Sequence, residues 1–341
     1  MTSPSSAPVS LEQFGNPAPK FINRMMKLRL SENLQPGVVT LLVLFFCIYA
    51  GYRSGDFWSA LNWQLLAQPL SEAGLVSLGM MFVIACGGID LSAGATVGVA
   101  AVTAGIAAHH NFPVRAIEAA ALAAGILCGA FNGLLIGVLR LSSILVTLGS
   151  MILFSGIALA LSNGSSFAGF PGGLLWWNDA ALFGIPVEFL FFLAIAAVVA
   201  VLLRYTLWGH YVIAIGSNRV AARYSGYPVA LTLFGVYTLE GLLCGMTGIL
   251  LVARLASARA DMGQGLMLMA IAAVVLGGAP IAGGSASVIA TLVGVAAFYI
   301  VQDGLLLLDV PPFVQRALTS VLLLVAIAAG NLLRGSRKDL R

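Results

Sequence analysis

An acidic residue, Asp90, stands between two hydrophobic stretches of this 341-residue chain. It belongs to the string GGIDLSAGA at residues 87–95, which follows an apolar run ending at Cys86. A charged side chain in the middle of a bilayer costs about 2.5–3.5 kcal/mol on insertion scales, so such groups face a protein interior or an aqueous path. Two interpretations remain open: Asp90 or Ser92 accepts a backbone N–H bond at the start of the next helix, or the pair contacts a solute.

Other residue patterns that support chemistry are missing from the sequence. Only three lysines occur, and none lies in a Gly-x-x-x-x-Gly-Lys-Ser/Thr phosphate-binding loop. His109, His110 and His210 have no acidic or cysteine partners at the spacing of a metal site, and no Ser-His-Asp or His-Glu-x-x-His arrangement is present. The four cysteines show no paired spacing. We therefore expect no catalytic or metal site and no cofactor bound by this chain.

The composition indicates an integral membrane protein. Hydrophobic residues make up 60% of the chain and charged residues 9%, whereas soluble domains contain about 45–50% and about 25%. A helix needs about 20 apolar residues to cross a bilayer. The sequence therefore predicts an all-α, polytopic membrane helix bundle of about ten transmembrane helices. The net charge of +4 does not imply nucleic-acid binding, because the placement of the positive residues follows membrane topology.

The predicted spans divide the chain into three parts. A cytoplasmic tail covers residues 1–36, a transmembrane domain residues 37–333, and a second cytoplasmic tail residues 334–341. Both termini are expected in the cytoplasm, because this orientation puts most Lys and Arg residues on the inner side. The spans are expected at residues 38–52, 69–86, 93–108, 116–139, 143–162, 187–203, 229–253, 266–276, 285–301 and 313–331.

Two glycine clusters separate apolar runs at corresponding positions and form a weak internal repeat. Broken helices at equivalent positions of two halves point to a solute path in transporters, because irregular backbone survives at membrane depth only where protein or a cavity covers it. Glycine turns between tightly packed helices would give the same pattern. The glycines concerned are Gly87, Gly88 and Gly94 in the first cluster, and Gly277, Gly278, Gly283 and Gly284 in the second.

The longest polar break on the predicted cytoplasmic side covers residues 205–228. Within it, Ser217 or Asn218 can cap the start of a short helix, and Gly226 can end it. Two arginines spaced four residues apart would share one face of that helix. The segment is either a helix that docks onto another protein or a solvated turn that connects two spans.

Five motifs together resemble the permease subunits of bacterial ABC importers for monosaccharides, of the ribose, xylose and galactoside type. The resemblance extends over nearly the whole chain, and the first and fourth motifs are highly specific in combination. The motifs are GGIDLSAGA (87–95), FNGLLIG (131–137), LVTLGSM (145–151), AIGSNRVAARYSG (214–226) and AIAAVVLGGAPIAGGS (270–285).

The resemblance implies a transport subunit of the bacterial inner membrane and not an enzyme. Its expected partners are a cytoplasmic ABC ATPase that binds ATP and magnesium, a periplasmic sugar-binding protein, and a second permease subunit of the same or a different kind. The expected solute is a small sugar. The resemblance also identifies the segment at 218–226 as the coupling helix that enters a groove on the ATPase, with candidate contacts Asn218, Arg219, Ala221, Ala222, Arg223, Ser225 and Gly226.

Two departures from the family pattern bear on the solute. The triplet at 267–269 is Met-Leu-Met where many members carry Glu-Leu-Asp, and Glu240 stands where a small serine is common after the tyrosine that is Tyr237 here. Glu240 either accepts hydrogen bonds from a polyhydroxylated solute or pairs with a polar neighbour between helices. The candidate path residues are Asp90, Ser92, Asn132, Thr147 and Glu240.

The solute itself remains open at this stage. The strings SARADMG (257–263) and GFP (169–171) look most like the subgroup for rhamnose-type deoxysugars and autoinducer-2, in which two unlike permeases often pair. A pentose, a deoxyhexose and autoinducer-2 are therefore the main candidates. The alternatives are a branched-chain amino acid or nucleoside ABC permease, a secondary transporter or channel without an ATPase, and a membrane scaffold without transport.

Overall fold

The computed structural model describes residues 43–311 without a gap, together with residues 37, 40, 41, 313–315, 317, 318 and 321. In this part of the chain the fold is a helical bundle, as the composition predicts, and six helices are long and apolar enough to cross a membrane. Three shorter apolar helices accompany them. The predicted tails at 1–36 and 334–341 lie outside the described residues, as does most of the tenth predicted span at 313–331.

The elements follow one another in a simple order. A 3₁₀ turn (Gly55–Trp58) precedes α2, a π-helical segment (Leu134–Val138) continues α4, and four two-residue strands pair antiparallel as β1 with β4 and β2 with β3. The helices are α1 (Val43–Arg53), α2 (Ala60–Ala85), α3 (Ala93–His109), α4 (Val114–Gly133), α5 (Ser143–Ser162), α6 (Gly172–Asp179), α7 (Val187–Tyr205), α8 (Leu207–Ser217), α9 (Arg219–Tyr224), α10 (Val229–Leu255), α11 (Leu266–Leu276) and α12 (Val288–Leu307). The strands are β1 (Phe167–Ala168), β2 (Ala181–Leu182), β3 (Ile185–Pro186) and β4 (Ser257–Ala258).

Most predicted spans agree with helices to within two residues, and two differ for clear reasons. Helix α2 begins at Ala60, well before the predicted start at Pro69, because the Ser59 hydroxyl accepts a hydrogen bond from the Asn62 amide at 3.1 Å and caps the helix there. Pro69 lies inside α2, where membrane helices tolerate proline. Helix α12 begins at Val288 and not at residue 285, because Ser287 is its cap residue, and it ends at Leu307, six residues beyond the predicted end at 301.

The predicted polar break at 205–228 is divided in two. Its first half is the apolar helix α8, whose Val212 and Ile215 are buried in the core. The Thr206 hydroxyl caps α8 by accepting a hydrogen bond from the Gly209 amide at 3.1 Å. Only the second half, from Asn218 onward, is a polar surface segment, and it contains the short helix α9.

Helix α2 is the centre of the bundle. All its residues from Ser71 to Ala85 are buried. A helix that is apolar on every face has no side to turn towards water or lipid headgroups, so it takes an interior position. Helices α7, α8, α10, α11 and α12 pack around it.

Helices α4 and α10 approach each other along a glycine face. Gly125, Gly129, Gly133 and Gly137 recur every fourth residue and lie against the backbone of α10. A methyl group at Gly129 would overlap the carbonyl oxygen of Tyr237. Lipid tails are as apolar as leucine, so helices in a membrane associate through close packing, which small residues permit. This helix pair fixes the position of Asn132, which lies in the same stretch of α4.

Candidate functional site

Four of the five predicted path residues form one hydrogen-bonded network between α2 and α3. The Oδ1 atom of Asp90 accepts hydrogen bonds from the Ser92 backbone amide at 2.7 Å and the Ser92 hydroxyl at 2.6 Å. Asn132 of α4 donates from Nδ2 to the Ser92 hydroxyl at 2.7 Å. Thr147 of α5 donates to the carbonyl oxygen of Ile89 at 3.1 Å. The network therefore ties the 87–92 loop to two neighbouring helices.

This network lies inside the protein and not on a surface that a solute can reach. Asp90, Ser92, Asn132 and Thr147 expose 2% or less of their surface. Asp90 accepts the N–H of Ser92, the residue just before α3, and the Ser92 hydroxyl makes no helix-capping bond. Asp90 thus fixes the turn from which α3 begins. Hydrogen bonding repays part of the cost of burying its carboxylate.

Glu240, the fifth predicted path residue, lies apart from this network. It is 1% exposed on α10 and packs against Gly79 of α2, where a methyl group would overlap its Oε2 atom. The Cys244 thiol is 3.9 Å from Oε1, and Oε2 has no hydrogen-bond partner in the described part of the chain. Glu240 therefore lies between two helices, beside neither of the clefts described below.

A re-entrant segment at residues 256–265 brings irregular backbone into the bundle. Helix α10 ends at Leu255, and the chain then runs back along the glycine face of α3 until α11 begins at Leu266. Methyl groups on α3 would overlap this segment at three levels, with Ala258 at Gly105, Ala260 at Gly98 and Gly263 at Gly94. The 11 residues between Gly94 and Gly105 correspond to a rise of about 16 Å. The segment thus runs beside α3 over a length equal to about half of a hydrocarbon core of about 30 Å.

The outer end of the re-entrant segment is held by the β1–β4 pair. Phe167 pairs with Ala258, and Ala168 pairs with Ser257. The chain after α5 and the chain after α10 are therefore joined at the end of the bundle where α10 ends. Arg259 and Asp261 follow directly, and their side chains form an exposed ion pair with an Nε to Oδ1 distance of 3.1 Å.

A cleft of about 530 Å³ opens between the re-entrant segment, the start of α3 and the middle of α5. Its side walls are largely apolar, with polar side chains from Ser155, Asp261 and Gln264. A second cleft of about 330 Å³ shares Leu159, Ala260 and Asp261 with the first and adds three serines and Arg259. The two clefts together form a groove from the loop surface towards the Asp90 turn. Such a lining suits a small, hydrogen-bonding molecule.

The two predicted glycine clusters meet at the other end of the bundle, next to α8. The Gly284 amide donates a hydrogen bond to the carbonyl oxygen of Ala85 at 2.9 Å. Gly216 of α8 has no room for a methyl group beside Ala85 and Gly284. Gly87, Gly278, Gly283 and Gly284 adopt positive φ angles, whereas Gly88, Gly94 and Gly277 are required by close neighbours. The clusters are thus turns that pack against each other, and Gly94 belongs instead to the cleft.

Helix α9 and its flanking residues contain the predicted docking contacts. The Oδ1 atom of Asn218 accepts hydrogen bonds from the amides of Val220 at 3.0 Å and Ala221 at 2.9 Å, which confirms the predicted cap. Ala222 is buried in the core. The other predicted contacts are exposed on one projecting segment, namely Asn218, Arg219, Ala221, Arg223, Ser225 and Gly226.

Comparison with known proteins gives the class of the molecule. Residues 66–327 match the family described as branched-chain amino acid transport system, permease component. The chain belongs to this permease family. The permease is also 36% identical over 265 residues to the autoinducer 2 import system permease protein LsrD of Photorhabdus luminescens, covering 76% of this chain and 80% of the relative. The protein of the same description in Yersinia pestis strain Pestoides F is 35% identical with the same coverage. No solved structure matches.

Membership of this family confirms the main prediction from the sequence. The permease is the transport component of an ABC importer, and a separate ATPase subunit hydrolyses ATP. It is a multi-pass protein of the inner membrane, consistent with its long apolar helices. The family works with ATPase and binding-protein partners in general.

Sequence reasoning missed a buried charge cluster of the permease. Glu72 of α2 is 1% exposed and forms a bidentate pair with Arg254 of α10, with distances of 2.6 Å from Nε to Oε1 and 2.7 Å from Nη2 to Oε2. Glu188 at the start of α7 is fully buried, and neither of its carboxylate oxygens has a hydrogen-bond partner among the described residues. The sequence does place Glu72, Glu188 and Arg254 beside or within apolar runs, which was the available signal. Because residues 60–68 were not recognised as part of α2, Glu72 lay only three residues from the predicted start of that span, at residue 69.

Proposed function

We propose that this permease imports a sugar-like solute, namely a monosaccharide such as a pentose or rhamnose, or autoinducer-2. The observation that carries this proposal is the 36% identity to permeases that are named for autoinducer 2 import. The cleft supports it, because its side chains offer hydroxyl, amide and paired carboxylate groups to a neutral polyhydroxylated molecule.

Branched-chain amino acids are the second candidate, because the family description names them. A zwitterionic solute needs a cationic partner for its carboxylate and an anionic partner for its ammonium group. Arg259 and Asp261 could supply both groups only by giving up their own ion pair. The neutral solute needs no such exchange and is therefore preferred.

The proposed orientation places α9 and both chain ends in the cytoplasm and the β1–β4 pair in the periplasm. Arg204, Arg219 and Arg223 lie close to α9 in the chain, in agreement with the tendency of positive residues to stay inside. A periplasmic binding protein would then deliver the solute to the groove beside β1 and β4.

Transport is proposed to begin at α9. The segment at 218–226 docks in a groove on the cytoplasmic ATPase, which binds ATP and magnesium. Closure of the ATPase moves α9 and α8, and α8 contacts the glycine turns through Gly216. ATP binding is coupled to solute transport because ATP and solute each stabilise one of two conformations of the complex.

A second permease subunit is proposed to close the cleft. Helix α5 forms one wall and leaves many large apolar side chains uncovered, including Leu145 at 72% and Ile152 at 67% exposure. A partner subunit would cover part of this surface. A partner of a different kind fits the similarity to the autoinducer-2 subgroup.

Uptake in a reconstituted system tests the proposed function. The permease is placed in liposomes with its ATPase, its partner permease and the binding protein, and uptake of autoinducer-2, rhamnose, ribose, leucine and adenosine is measured with ATP. We expect ATP-dependent uptake of a sugar-like probe. Uptake of leucine or adenosine alone would show that the solute class is wrong. Uptake that persists without the ATPase would show that the coupling mechanism is wrong.

A further inference from the structure

The re-entrant segment raises the question of why non-helical backbone lies at membrane depth. Backbone N–H and C=O groups that lack helix bonds need protein or water as partners in a membrane, so such segments are tolerated only where they are buried or line a wet cavity. One side of this segment packs on α3 at Gly94, Gly98 and Gly105. The other side forms a wall of the 530 Å³ cleft. The position of the segment is thus explained if the cleft holds water or solute.

The wall formed by this segment carries two polar side chains, whereas most of the other residues that line the cleft are apolar. Asp261 and Gln264 are exposed into the cleft, and Ser155 of α5 lines the same space. The other lining side chains include Leu91, Met151 and Met267, which offer apolar contact. A polar pair on one wall and a hydroxyl on another are the arrangement that a small pocket uses to orient a hydrogen-bonding ligand.

We propose that Asp261 and Gln264 contact the solute during transport, with Ser155 completing the site, and that the ligand is a neutral polyhydroxylated molecule. Arg259 holds the Asp261 carboxylate at 3.1 Å, so the pair brings little net charge to the cleft while free lone pairs remain for hydroxyl groups. The Gln264 amide can both donate and accept. This site rests on the proposed function but replaces the buried Asp90 network and Glu240 as the source of solute contacts.

The first experiment measures water access and does not depend on the solute. Gln264→Cys, Ser155→Cys and Thr147→Cys are made one at a time in the otherwise unchanged chain, whose cysteines within the described residues are all buried. The assembled complex is treated with a small water-soluble thiol reagent. We expect Gln264→Cys and Ser155→Cys to react at least about ten-fold faster than Thr147→Cys, which lies in the buried network. Equal rates would overturn the proposal.

The second experiment measures transport of named probes. Gln264→Leu and Asp261→Asn are compared with Asp179→Asn, an exposed acid on α6 away from the cleft. Loss of a hydrogen-bonding side chain from a solute site should reduce uptake of autoinducer-2 or rhamnose about ten-fold or more. Asp179→Asn should keep normal uptake. Gln264→Asn, which retains the amide, should recover part of the activity.

The outcomes separate this site from the solute assignment. If Gln264→Cys reacts quickly but the complex carries only leucine, the proposed solute class fails and the water-lined wall is still supported. If sugar uptake is normal in both Gln264→Leu and Asp261→Asn, the proposed contacts are wrong and the proposed function stands. Co-purification of each variant with the ATPase shows that the subunit has folded and assembled.

Discussion

The amide of Gly284 donates a hydrogen bond to the carbonyl oxygen of Ala85 across 2.9 Å, and this bond joins the two glycine turns of the permease. Ala85 is the last residue of α2, so its carbonyl oxygen has no hydrogen-bond partner within the helix. The amide of Gly284, 199 positions later in the chain, supplies that partner. Gly216 of α8 packs on the same pair of groups. The end of the central helix is therefore in contact with the element that leads into α9.

Substitution of Gly216 should weaken coupling between the ATPase and the bundle. Gly216→Ala adds a methyl group where the Ala85 carbonyl oxygen and the Gly284 amide leave no room. Overpacking of this kind costs about 1–3 kcal/mol. We expect solute-stimulated ATPase activity in the reconstituted complex to fall several-fold. Gly55→Ala is the matched control, because a methyl group there meets no atom within 4 Å and the position lies outside α5. Equal activities of the two variants would contradict a role for this contact.

The α4–α10 glycine face should be sensitive to the smallest added side chain. Gly129→Ala places a methyl group against the carbonyl oxygen of Tyr237, which forces the helices apart. We expect a loss of about 1–3 kcal/mol of stability, measured as a lower midpoint of thermal unfolding in detergent. Gly156→Ala on α5 should keep or slightly raise the midpoint, since open space surrounds it and alanine favours a helix more than glycine does. A fall of the same size in Gly156→Ala would show that packing against α10 is not responsible.

The buried Glu72–Arg254 pair should behave as a unit. Glu72→Met leaves the Arg254 guanidinium without its carboxylate partner, and breaking such pairs costs about 3–5 kcal/mol. The cost here should lie near the lower limit, because 27% of the Arg254 side chain is exposed. The double variant Glu72→Met with Arg254→Met should recover much of the lost stability. A double-mutant cycle on the unfolding midpoint checks this, and simple additivity of the two changes would count against coupling.

Two positions on α9 should separate docking from folding. Val220 and Tyr224 are 65% and 88% exposed, so Val220→Glu and Tyr224→Ala should leave the permease folded but reduce its co-purification with the ATPase at least about ten-fold. Ala222 is 4% exposed, so Ala222→Arg should reduce the yield of folded permease itself. Size-exclusion chromatography of each variant distinguishes these results. Normal ATPase binding by both exposed variants would remove α9 from the interface.

The sequence predicts the helices where an apolar run has clear polar ends. This holds for α5 and α11, whose bounds agree with the predicted spans. It fails for the start of α2, because residues 60–68 mix polar and apolar side chains and Pro69 suggests a boundary. In the structure the polar residues Asn62, Gln64 and Gln68 find partners outside α2.

The re-entrant segment could not be found from hydropathy alone. Residues 256–265 have the composition of a surface turn, and their position depends on contacts with α3. Gly94, Gly98 and Gly105 were the available signal, since each gives room for a neighbouring backbone. For the same reason the sequence could not show that Asp90 is buried in a hydrogen-bonded network and does not line the cleft.

The short helix α11 has a consequence for the thickness of the barrier between the two compartments. Its 11 residues rise about 16 Å, which is about half of a typical hydrocarbon core. The remaining depth is occupied by the re-entrant segment and the cleft. If water fills the cleft, the transmembrane voltage drops mainly over the remaining half, and a solute would have to cross a dielectric layer only about half as thick as the bilayer.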